Sequence, residues 1–252
     1  MGVTENERRE VRFEPRFRVL QETADVIVVD KPAPLLVHPS VPGNPPTLLC
    51  GLEGLLAYEI ANGARLSIIN RLDRETSGVV VVAKHTVAAR ELHTAMERRE
   101  VEKEYVALVW GWPEGEAWEV DGALRRRGEV VEGVPVWVEQ CVDVGGAEAR
   151  TRFEVMERLE RGGERFSLVR ARPETGRMHQ IRVHLAYSGL PLVGDKIYGR
   201  AGRGCYLEFI ETGWTEALRG RLLLPRQALH CERMALEGWG EWRAEMPEEM
   251  RW

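Results

Sequence analysis

A single carboxylate, Asp73, stands between Arg71 and Arg74 in the stretch INRLDRETSGVVVVAK. A Thr-Ser-Gly turn and four consecutive valines follow it, so the acid lies at the base of a strand that we expect to be buried. Guanidinium groups on either side favour the ionised form of a carboxylate. An aspartate in a turn often only accepts hydrogen bonds from nearby backbone amides, and this structural interpretation competes with a catalytic one.

A second concentration of chemically capable side chains lies in RPETGRMHQIRVHLAYSGL. His179 and His184 are five positions apart, about 140° around a helix, so they do not form a metal-binding face. Apolar residues interleave with the charged ones, which is unusual for a solvated helix. A short helix that points an arginine inward at a buried acid fits better, because arginine stays charged and binds a carboxylate through two parallel donors.

Buried strands and short helices must position these residues. Strand-like runs outnumber helical ones and follow one another, which predicts an α+β fold with a mixed or antiparallel sheet flanked by helices and loops. The last apolar stretch, RQALHCERMAL, is ambiguous between helix and strand. The predicted strands cover residues 25–30, 66–70, 78–84 and 104–110 and an antiparallel group within 118–172, and the predicted helices cover 86–99 and 178–188, the latter ended by Gly189.

The chain of 252 residues is long enough for one large domain, and no linker divides it. We expect residues 1–17 to form a loose arm and residues 18–252 to form a single domain. The amino terminus is polar and no apolar run approaches the roughly 20 residues that span a bilayer, so neither a secretory signal nor a membrane partner is predicted. Four scattered cysteines without a C-x-x-C pair favour reduced thiols in the cytoplasm over disulfides or a zinc site.

The net charge of the chain and its local distribution point to opposite conclusions about a nucleic-acid partner. A formal net charge of −5 argues against such a partner. The distribution is uneven, however, because residues 165–233 contain 12 basic and 6 acidic side chains. A basic stretch on an acidic body is compatible with RNA held along one face. Uneven surface charge without any partner explains the same numbers equally well.

INRLDRETSGVVVVAK resembles the catalytic motif HRLDxxTSG of the RluA-type pseudouridine synthases, in which an apolar strand and Ala-Lys follow. Four further stretches resemble family motifs in the family's order. Asn70 stands where the family usually has His, Met178 where it has Thr, and Pro34 where it has Gly. We expect no separate N-terminal RNA-binding domain, which many relatives carry. The four further stretches are DKPAPLLVH, KEYVALVWG, ETGRMHQIRVHLAYSGLPLVGDKIYG and LPRQALHCERMAL.

The resemblance implies a catalytic domain that isomerises a specific uridine of tRNA or rRNA to pseudouridine in a cleft across the sheet. Asp73 would be the essential carboxylate, Arg182 would form a buried ion pair with it, and Tyr105 would stack on the extruded uracil. No cofactor and no metal are implied, and we expect a cytoplasmic monomer whose partner is RNA. The substrate-binding positions that the resemblance implies are Asn70, Arg71, Arg177, His179, Gln180 and Leu185.

Other basic residues are candidates for contact with RNA. The possible phosphate contacts are Arg177, Lys196, Arg200 and Arg203, and the possible cleft-lining lysines are Lys84 and Lys103.

Two other functions stay open on the sequence alone. A catalytically silent relative would bind RNA without converting it, and the joint presence of Asp73, Tyr105 and Arg182 argues against this reading. A metallohydrolase would use His179, His184 and Asp195 as ligands, and the spacing rules for metal sites disfavour it.

Overall fold

The computed structural model describes residues 16–39 and 46–251. The helices and strands in chain order are β1 (Arg18–Glu22), β2 (Val26–Lys31), α1 (Leu48–Leu55), α2 (Ala57–Ala61), β3 (Ser67–Ile68), β4 (Ser77–Ala83), α3 (Thr86–Glu97), β5 (Glu102–Trp110), β6 (Ala117–Asp121), β7 (Leu124–Arg126), β8 (Gln140–Val142), β9 (Arg150–Arg161), β10 (Glu164–Pro173), α4 (Gln180–Tyr187), α5 (Gly204–Thr212), α6 (Glu216–Leu222), β11 (Leu229–Leu236) and β12 (Gly240–Arg243).

A ten-stranded sheet forms the centre of the described part of the chain, with strand order β1-β2-β4-β11-β5-β10-β9-β6. Off this path, β3 pairs with β4 and β12 pairs with β11. Neighbouring strands run antiparallel except β4 and β11, which are parallel. The strands β7 and β8 form a separate two-stranded ribbon. The sheet is mixed and mostly antiparallel, which confirms the predicted α+β class.

Strand β4 contains the valine run and lies inside the sheet between β2 and β11. All of its residues are buried, because β-branched side chains on both faces suit a strand that is covered on both sides. Gly78 has a φ of 115°, and a Cβ there would lie 2.2 Å from the backbone oxygen of Cys231. Glycine alone therefore allows β4 to approach β11 this closely. The segment that precedes β4, which includes Asp73, is fixed against β11 as a result.

The structure decides one segment that was ambiguous in sequence and changes the bounds of two predicted elements. The segment RQALHCERMAL, ambiguous in sequence, provides β11 in the middle of the sheet. The strand expected at 66–70 is limited to Ser67–Ile68. Helix α4 begins at Gln180 rather than at Met178, because His179 has a left-handed backbone with φ 57°. Six consecutive residues of α4, from Gln180 to Leu185, are buried, so this helix runs through the interior.

The arm expected at residues 1–17 lies almost wholly outside the described residues, which begin at 16. Its division from a single domain at 18–252 stays a prediction. Within residues 16–39 and 46–251, no helix has both the length and the apolar character needed to cross a membrane.

Candidate active site

A cleft of about 570 Å³ opens where β5, the segment before β4 and the start of α4 meet. The three residues predicted to be catalytic, Asp73, Tyr105 and Arg182, all line it. Asp73 comes from the segment before β4, Tyr105 from β5 and Arg182 from the first turn of α4. The fold therefore brings together side chains from three distant parts of the sequence.

Asp73 is held through one of its two carboxylate oxygens. Nη1 of Arg182 donates to Oδ2 at 2.9 Å, and Nε2 of Gln227 donates to the same oxygen at 3.2 Å. Nε2 of His179 lies 3.8 Å from Oδ2. Oδ1 receives no hydrogen bond from the residues that the structure describes. Because 29% of the side chain is exposed, Asp73 presents a free oxygen to the cleft.

Asp195 fixes the guanidinium group of Arg182. Nε and Nη2 of Arg182 donate to Oδ2 and Oδ1 of Asp195 at 2.7 and 3.0 Å, a two-point contact that defines the plane of the group. Oδ1 of Asp195 also accepts the backbone amides of Ile197 and Tyr198, at 2.9 and 3.0 Å. Nη1 of Arg182 is thereby directed at Asp73, so this ion pair is oriented by the protein alone.

The carboxyl group of Asp73 stays ionised although it is partly buried. Burial raises the pKa of Asp73. A larger opposite effect comes from the positive charges of His179 and Arg182 and from the hydrogen bonds of Arg182 and Gln227, so the net pKa lies below the ordinary 3.8. At neutral pH the charge comes from Arg182, because burial and the Arg182 charge lower the pKa of His179 to about 4. The ion pair therefore keeps Asp73 in the form that can react.

His179 forms one side of the site as a neutral ring. Its Nδ1 lies 2.8 Å from the hydroxyl oxygen of Tyr198, which also accepts the backbone amide of Gln140 at 2.8 Å. When the tyrosine hydroxyl donates its proton to Nδ1, the ring proton of neutral His179 resides on Nε2. In that tautomer the Nε2 proton faces Asp73.

The loop that contains Asp73, residues 73–76, is tied to other parts of the chain. Nζ of Lys31 lies 3.4 Å from the backbone oxygen of Arg74, and Nη1 of Arg226 lies 3.3 Å from that of Glu75. Nζ of Lys196 contacts both carboxylate oxygens of Glu75 at 2.7 and 2.8 Å. These contacts limit the movement of the loop, and a fixed catalytic oxygen needs less reorganisation during reaction.

Tyr105 lies on β5, where its half-buried ring lines the cleft. Its Cα partner on β11 is Cys231. Burial and the neighbouring Cys231 raise the pKa of the Tyr105 hydroxyl well above its ordinary value. The residue is therefore a neutral aromatic surface at physiological pH.

Arg71 and Arg177, both expected to meet the substrate, are exposed and line the cleft, as does Arg74. Nε of Arg177 donates to the backbone oxygen of Glu148 at 3.0 Å. None of these three guanidinium groups forms an ion pair with a carboxylate among residues 16–39 and 46–251. The edge of the cleft therefore carries positive charge that no described acid neutralises.

The structure corrects the substrate-binding assignment of Leu185, whereas Asn70 lines the cleft and its contact with the substrate stays a prediction. Leu185 is 0% exposed and packs in the hydrophobic core with Ala107, so it cannot touch a ligand in the cleft. The side-chain amide of Asn70 donates to the backbone oxygen of Val79 at 3.0 Å and accepts the amide of Val81 at 2.8 Å. Asn70 uses its polar atoms to brace β4.

Gln180 lines the cleft, so its contact with the substrate stays a prediction, and its polar atoms also hold neighbouring parts of the site together. It is 4% exposed, and its Oε1 accepts from the hydroxyl of Thr175 at 2.6 Å and from the amide of Arg177 at 3.0 Å. Its Nε2 donates to the backbone oxygen of Arg150 at 2.9 Å. Gln180 therefore holds the turn that carries Arg177 against the start of α4.

The basic stretch at 165–233 does not form the positive face that its composition suggests. Every Lys and Arg in it except Arg165 and Arg177 contacts a carboxylate. Lys196 is 3% exposed and bound by a glutamate, so its assignment as a phosphate contact is wrong. Arg200 and Arg203 each pair with a glutamate, and their charge is already compensated.

The two lysines expected near the cleft have different positions. Lys103 lines the cleft. Lys84 does not, because its Nζ contacts Glu22 at 2.7 Å and the backbone oxygen of Thr23 at 3.2 Å. The expectation for Lys84 is corrected accordingly.

The ligands of the alternative metal site are engaged in other contacts. His184 is 0% exposed, and its two ring nitrogens lie 2.9 Å from the Thr151 hydroxyl and from the backbone oxygen of Gly122. Asp195 is bound to Arg182 through both oxygens. Across residues 16–39 and 46–251, no group of three or more His, Cys, Asp or Glu is placed to hold a metal ion. His184 and Asp195 are therefore not available as metal ligands, which argues against the metallohydrolase hypothesis.

The sequence did not reveal the roles of two residues of the site. Asp195, which orients Arg182, entered it only as a metal ligand, and Gln227, which donates to Asp73, was given no role. Both lie inside motifs that resemble the family, GDKIYG and LPRQALH, so the signal was present. What these residues contact becomes visible only when the chain is folded.

The fold and the cleft define a class of enzyme, and comparison with known proteins identifies the same class. The family model described as RNA pseudouridylate synthase matches residues 25–187. The chain belongs to this family, and its motifs place it among the RluA-type members. It is therefore an isomerase that acts on RNA.

Several bacterial relatives are similar over nearly the whole chain, and each is named ribosomal large subunit pseudouridine synthase D. The protein of Haemophilus ducreyi is 36% identical over 237 residues, covering 90% of this chain and 66% of the relative. That of Escherichia coli strain K12 is 36% identical over 254 residues, covering 96% and 71%. That of Pseudomonas aeruginosa is 34% identical over 243 residues, covering 94% and 70%. The chain thus spans 66–71% of the length of these relatives.

Two solved human structures share the fold. Human RNA pseudouridylate synthase domain containing 4 superposes with a TM-score of 0.70 at 23% identity, covering 92% of this chain and 90% of that protein. Human RNA pseudouridylate synthase domain containing 1 gives a TM-score of 0.68 at 24% identity, covering 95% and 86%. Likeness at this level of identity establishes the fold.

Proposed function

We propose that the protein converts a specific uridine of large-subunit ribosomal RNA to pseudouridine, with Asp73 as the catalytic carboxylate. The names of the bacterial relatives support ribosomal RNA over tRNA as the target. The observation that carries the proposal is the state of Asp73. Its carboxylate is kept ionised, it is held through Oδ2, and Oδ1 accepts no hydrogen bond from a described residue.

The chemistry explains why a free, ionised oxygen is needed. The bond between uracil N1 and ribose C1′ breaks, the base turns, and C5 joins C1′. The C5 proton is lost to water and N1 gains a proton, so the product is an isomer and no cofactor is required. A carboxylate can attack C1′, attack C6 of the base, or remove a ribose proton, and Oδ1 of Asp73 is available for each of these routes.

Arg182 supports this reaction by keeping Asp73 charged and in place. Its two-point contact with Asp195 sets its orientation before RNA binds. An environment arranged in advance stabilises charge without having to rearrange during the reaction. Arg182 touches only Oδ2 of Asp73, so it does not obstruct the reacting oxygen.

Tyr105 supports the extruded base. A uracil inside an RNA stack cannot reach a carboxylate in a cleft, so the nucleotide has to leave the stack. Stacking on an aromatic ring returns about 1–3 kcal/mol per base. The ring of Tyr105 lines the same cleft as Asp73, where it can receive the uracil.

The charge at the edge of the cleft suits a polyanion. Arg71, Arg74 and Arg177 are exposed there without carboxylate partners among the described residues. Exposed cations bind backbone phosphates and position RNA without reading its sequence. An overall net charge of −5 is compatible with this, because most basic residues of the 165–233 stretch are compensated locally.

A single catalytic domain at residues 18–252, a monomeric state and a cytoplasmic location complete the proposal. Ten of the twelve described strands belong to one central sheet, which supports the single domain. The bacterial relatives are named for the ribosomal large subunit, whose RNA in a bacterial cell lies in the cytoplasm, and this supports the location.

Tritium release tests the function directly. Unmodified large-subunit rRNA and tRNA pools, labelled with tritium at uracil C5, are incubated with the protein, and the tritium in water is counted. Release from rRNA with none from tRNA is the expected result. Release from tRNA alone would show that the substrate is tRNA and not rRNA. Binding of both RNAs without release from either would make the protein a catalytically silent RNA-binding relative.

A further inference from the structure

Lys103 occupies an unusual position in the cleft. It lies on β5 two residues before Tyr105, so the two side chains share one face of the strand, with Cα atoms about 6.6 Å apart. It is half-buried, and its Nζ lies 4.0 Å from the position that a Cβ on Gly176 would take. The ammonium group therefore lies where the wall formed by β5 meets the turn that precedes Arg177.

Among the residues that the structure describes, no acid balances this charge. The other lysines of the chain each have a partner: Lys84 contacts Glu22, Lys196 contacts Glu75, and Lys31 donates to backbone oxygens. Within residues 16–39 and 46–251, Lys103 has neither an ion pair nor a side-chain hydrogen bond.

The surroundings of Lys103 make its charged form less favourable than it is in water. Burial lowers the pKa of Lys103, and the nearby Cys231 opposes the shift only in part. Burial likewise raises the pKa of the Cys231 thiol to about 12, so that group is neutral at physiological pH. A partly desolvated ammonium without a counter-ion is unfavourable, and an anionic ligand in the cleft would relieve it.

We propose that Lys103 binds a backbone phosphate of the RNA next to the target uridine. This assignment rests on the proposed function, since RNA is the polyanion that enters the cleft. The nucleotide whose base stacks on Tyr105 has its own phosphates within reach of a side chain two residues away on the same strand face. Unlike the exposed arginines at the edge, Lys103 is inside the cleft, so its contact forms only when the target nucleotide has entered.

The test measures RNA affinity as a function of salt concentration. Large-subunit rRNA transcripts are titrated with wild type, Lys103→Met, Lys103→Arg and a control, Arg90→Met. Arg90 is exposed on α3, does not line the cleft and forms no ion pair with a described residue, so its loss changes the net charge equally. Thermal unfolding of each variant verifies folding.

We expect Lys103→Met to weaken rRNA binding about ten-fold or more, because a hydrogen bond to a charged group is lost. The slope of log Kd against log salt should fall by about 0.7–0.9, which corresponds to one phosphate contact. Lys103→Arg should retain most of the affinity, since it keeps the charge. KM should rise in Lys103→Met while kcat at saturating RNA changes little, and Arg90→Met should resemble wild type.

Two results would overturn the assignment. The first is a Lys103→Met protein with the same affinity and salt slope as Arg90→Met. The second is a Lys103→Met protein with a lower kcat but unchanged affinity and slope, which would show that Lys103 takes part in the chemical step. The function is judged separately, by tritium release from wild type. An active wild type with an unaltered salt slope in Lys103→Met refutes the role of Lys103 alone, and an inactive wild type refutes the function.

Discussion

Nη1 of Arg182 lies 2.9 Å from Oδ2 of Asp73, and no described residue donates a hydrogen bond to the second carboxylate oxygen of that acid. The two oxygens of this carboxylate therefore have different roles. Oδ2 anchors the group and keeps it ionised, and Oδ1 is left for the substrate. The opposite side of Arg182 is engaged by Asp195, so one guanidinium group links two acids.

The first prediction concerns the stability that Arg182 contributes. Arg182→Met removes the positive charge between Asp73 and Asp195 and leaves the latter buried and unpaired. We expect the free energy of unfolding to fall by about 3–5 kcal/mol, as for other buried pairs that lose one partner. Urea unfolding at neutral pH measures it. The control Arg219→Met breaks an exposed pair and should cost about 0–1 kcal/mol. Equal losses in both variants would contradict a buried, oriented ion pair.

The second prediction assigns Asp195 a positioning role. In Asp195→Asn the side chain keeps its shape but loses its charge and one acceptor, so Arg182 can turn away from Asp73. We expect kcat to fall by about 100-fold, the effect of a small misplacement at a reacting group. RNA affinity should stay near that of wild type, because Asp195 is 1% exposed and does not line the cleft. A weakened affinity with an unchanged kcat would count against this role.

The third prediction distinguishes the ring of Tyr105 from its hydroxyl. Tyr105→Phe keeps the aromatic face, whereas Tyr105→Leu removes it and costs about 1–3 kcal/mol of stacking. Under the stacking role, KM for rRNA should rise in Tyr105→Leu and stay close to wild type in Tyr105→Phe. Steady-state kinetics on the same transcript make the comparison. Equal loss of kcat in both variants would show instead that the hydroxyl takes part in the reaction.

The fourth prediction is a pH dependence of stability from His179. Its pKa is about 4 in the folded protein, against 6.5 ordinarily, because burial and then Arg182 disfavour the protonated ring. As pH falls from about 6.5 to about 4, the unfolded chain binds a proton that the folded one does not, so the free energy of unfolding decreases.

The effect at His179 amounts to at most about 3 kcal/mol, and it is complete below pH 4. His179→Gln has no such group, so its stability should fall less over this interval. Urea unfolding of both proteins at pH 7.5 and at pH 4.5 measures the difference. Parallel losses in the two proteins would show that His179 takes up its proton equally well in the folded state.

Sequence patterns predicted the parts of the molecule that depend on local chemistry. Four valines in a row marked β4 as buried. An arginine among apolar neighbours in α4 indicated an inward ion pair, and the family motif supplied its partner, Asp73. Leu185 was misassigned because a motif match does not tell which members of a helix face a cleft and which face the core.

Long-range partners account for most of what the sequence did not reveal. Lys196 counted as a free cation in the sequence, yet Glu75, more than a hundred positions earlier, neutralises it in the fold. The 165–233 stretch was misjudged for the same reason, since composition counts charges but does not pair them. Segment β11 was ambiguous because its burial does not alternate along the strand, and a strand with buried residues on both faces lacks a clear period.

The most direct test of the central claim is the single-turnover rate of Asp73→Asn. Enzyme in excess over labelled large-subunit rRNA measures the chemical step, and Kd for the same RNA verifies that binding is intact. We predict a rate at least about 1000-fold below that of wild type, with Kd little changed and with a cooperative thermal unfolding transition that shows the variant is folded. Asp30→Asn, which removes a partly exposed acid outside the cleft, should react at the wild-type rate. An Asp73→Asn protein that forms pseudouridine within ten-fold of wild type would contradict the account.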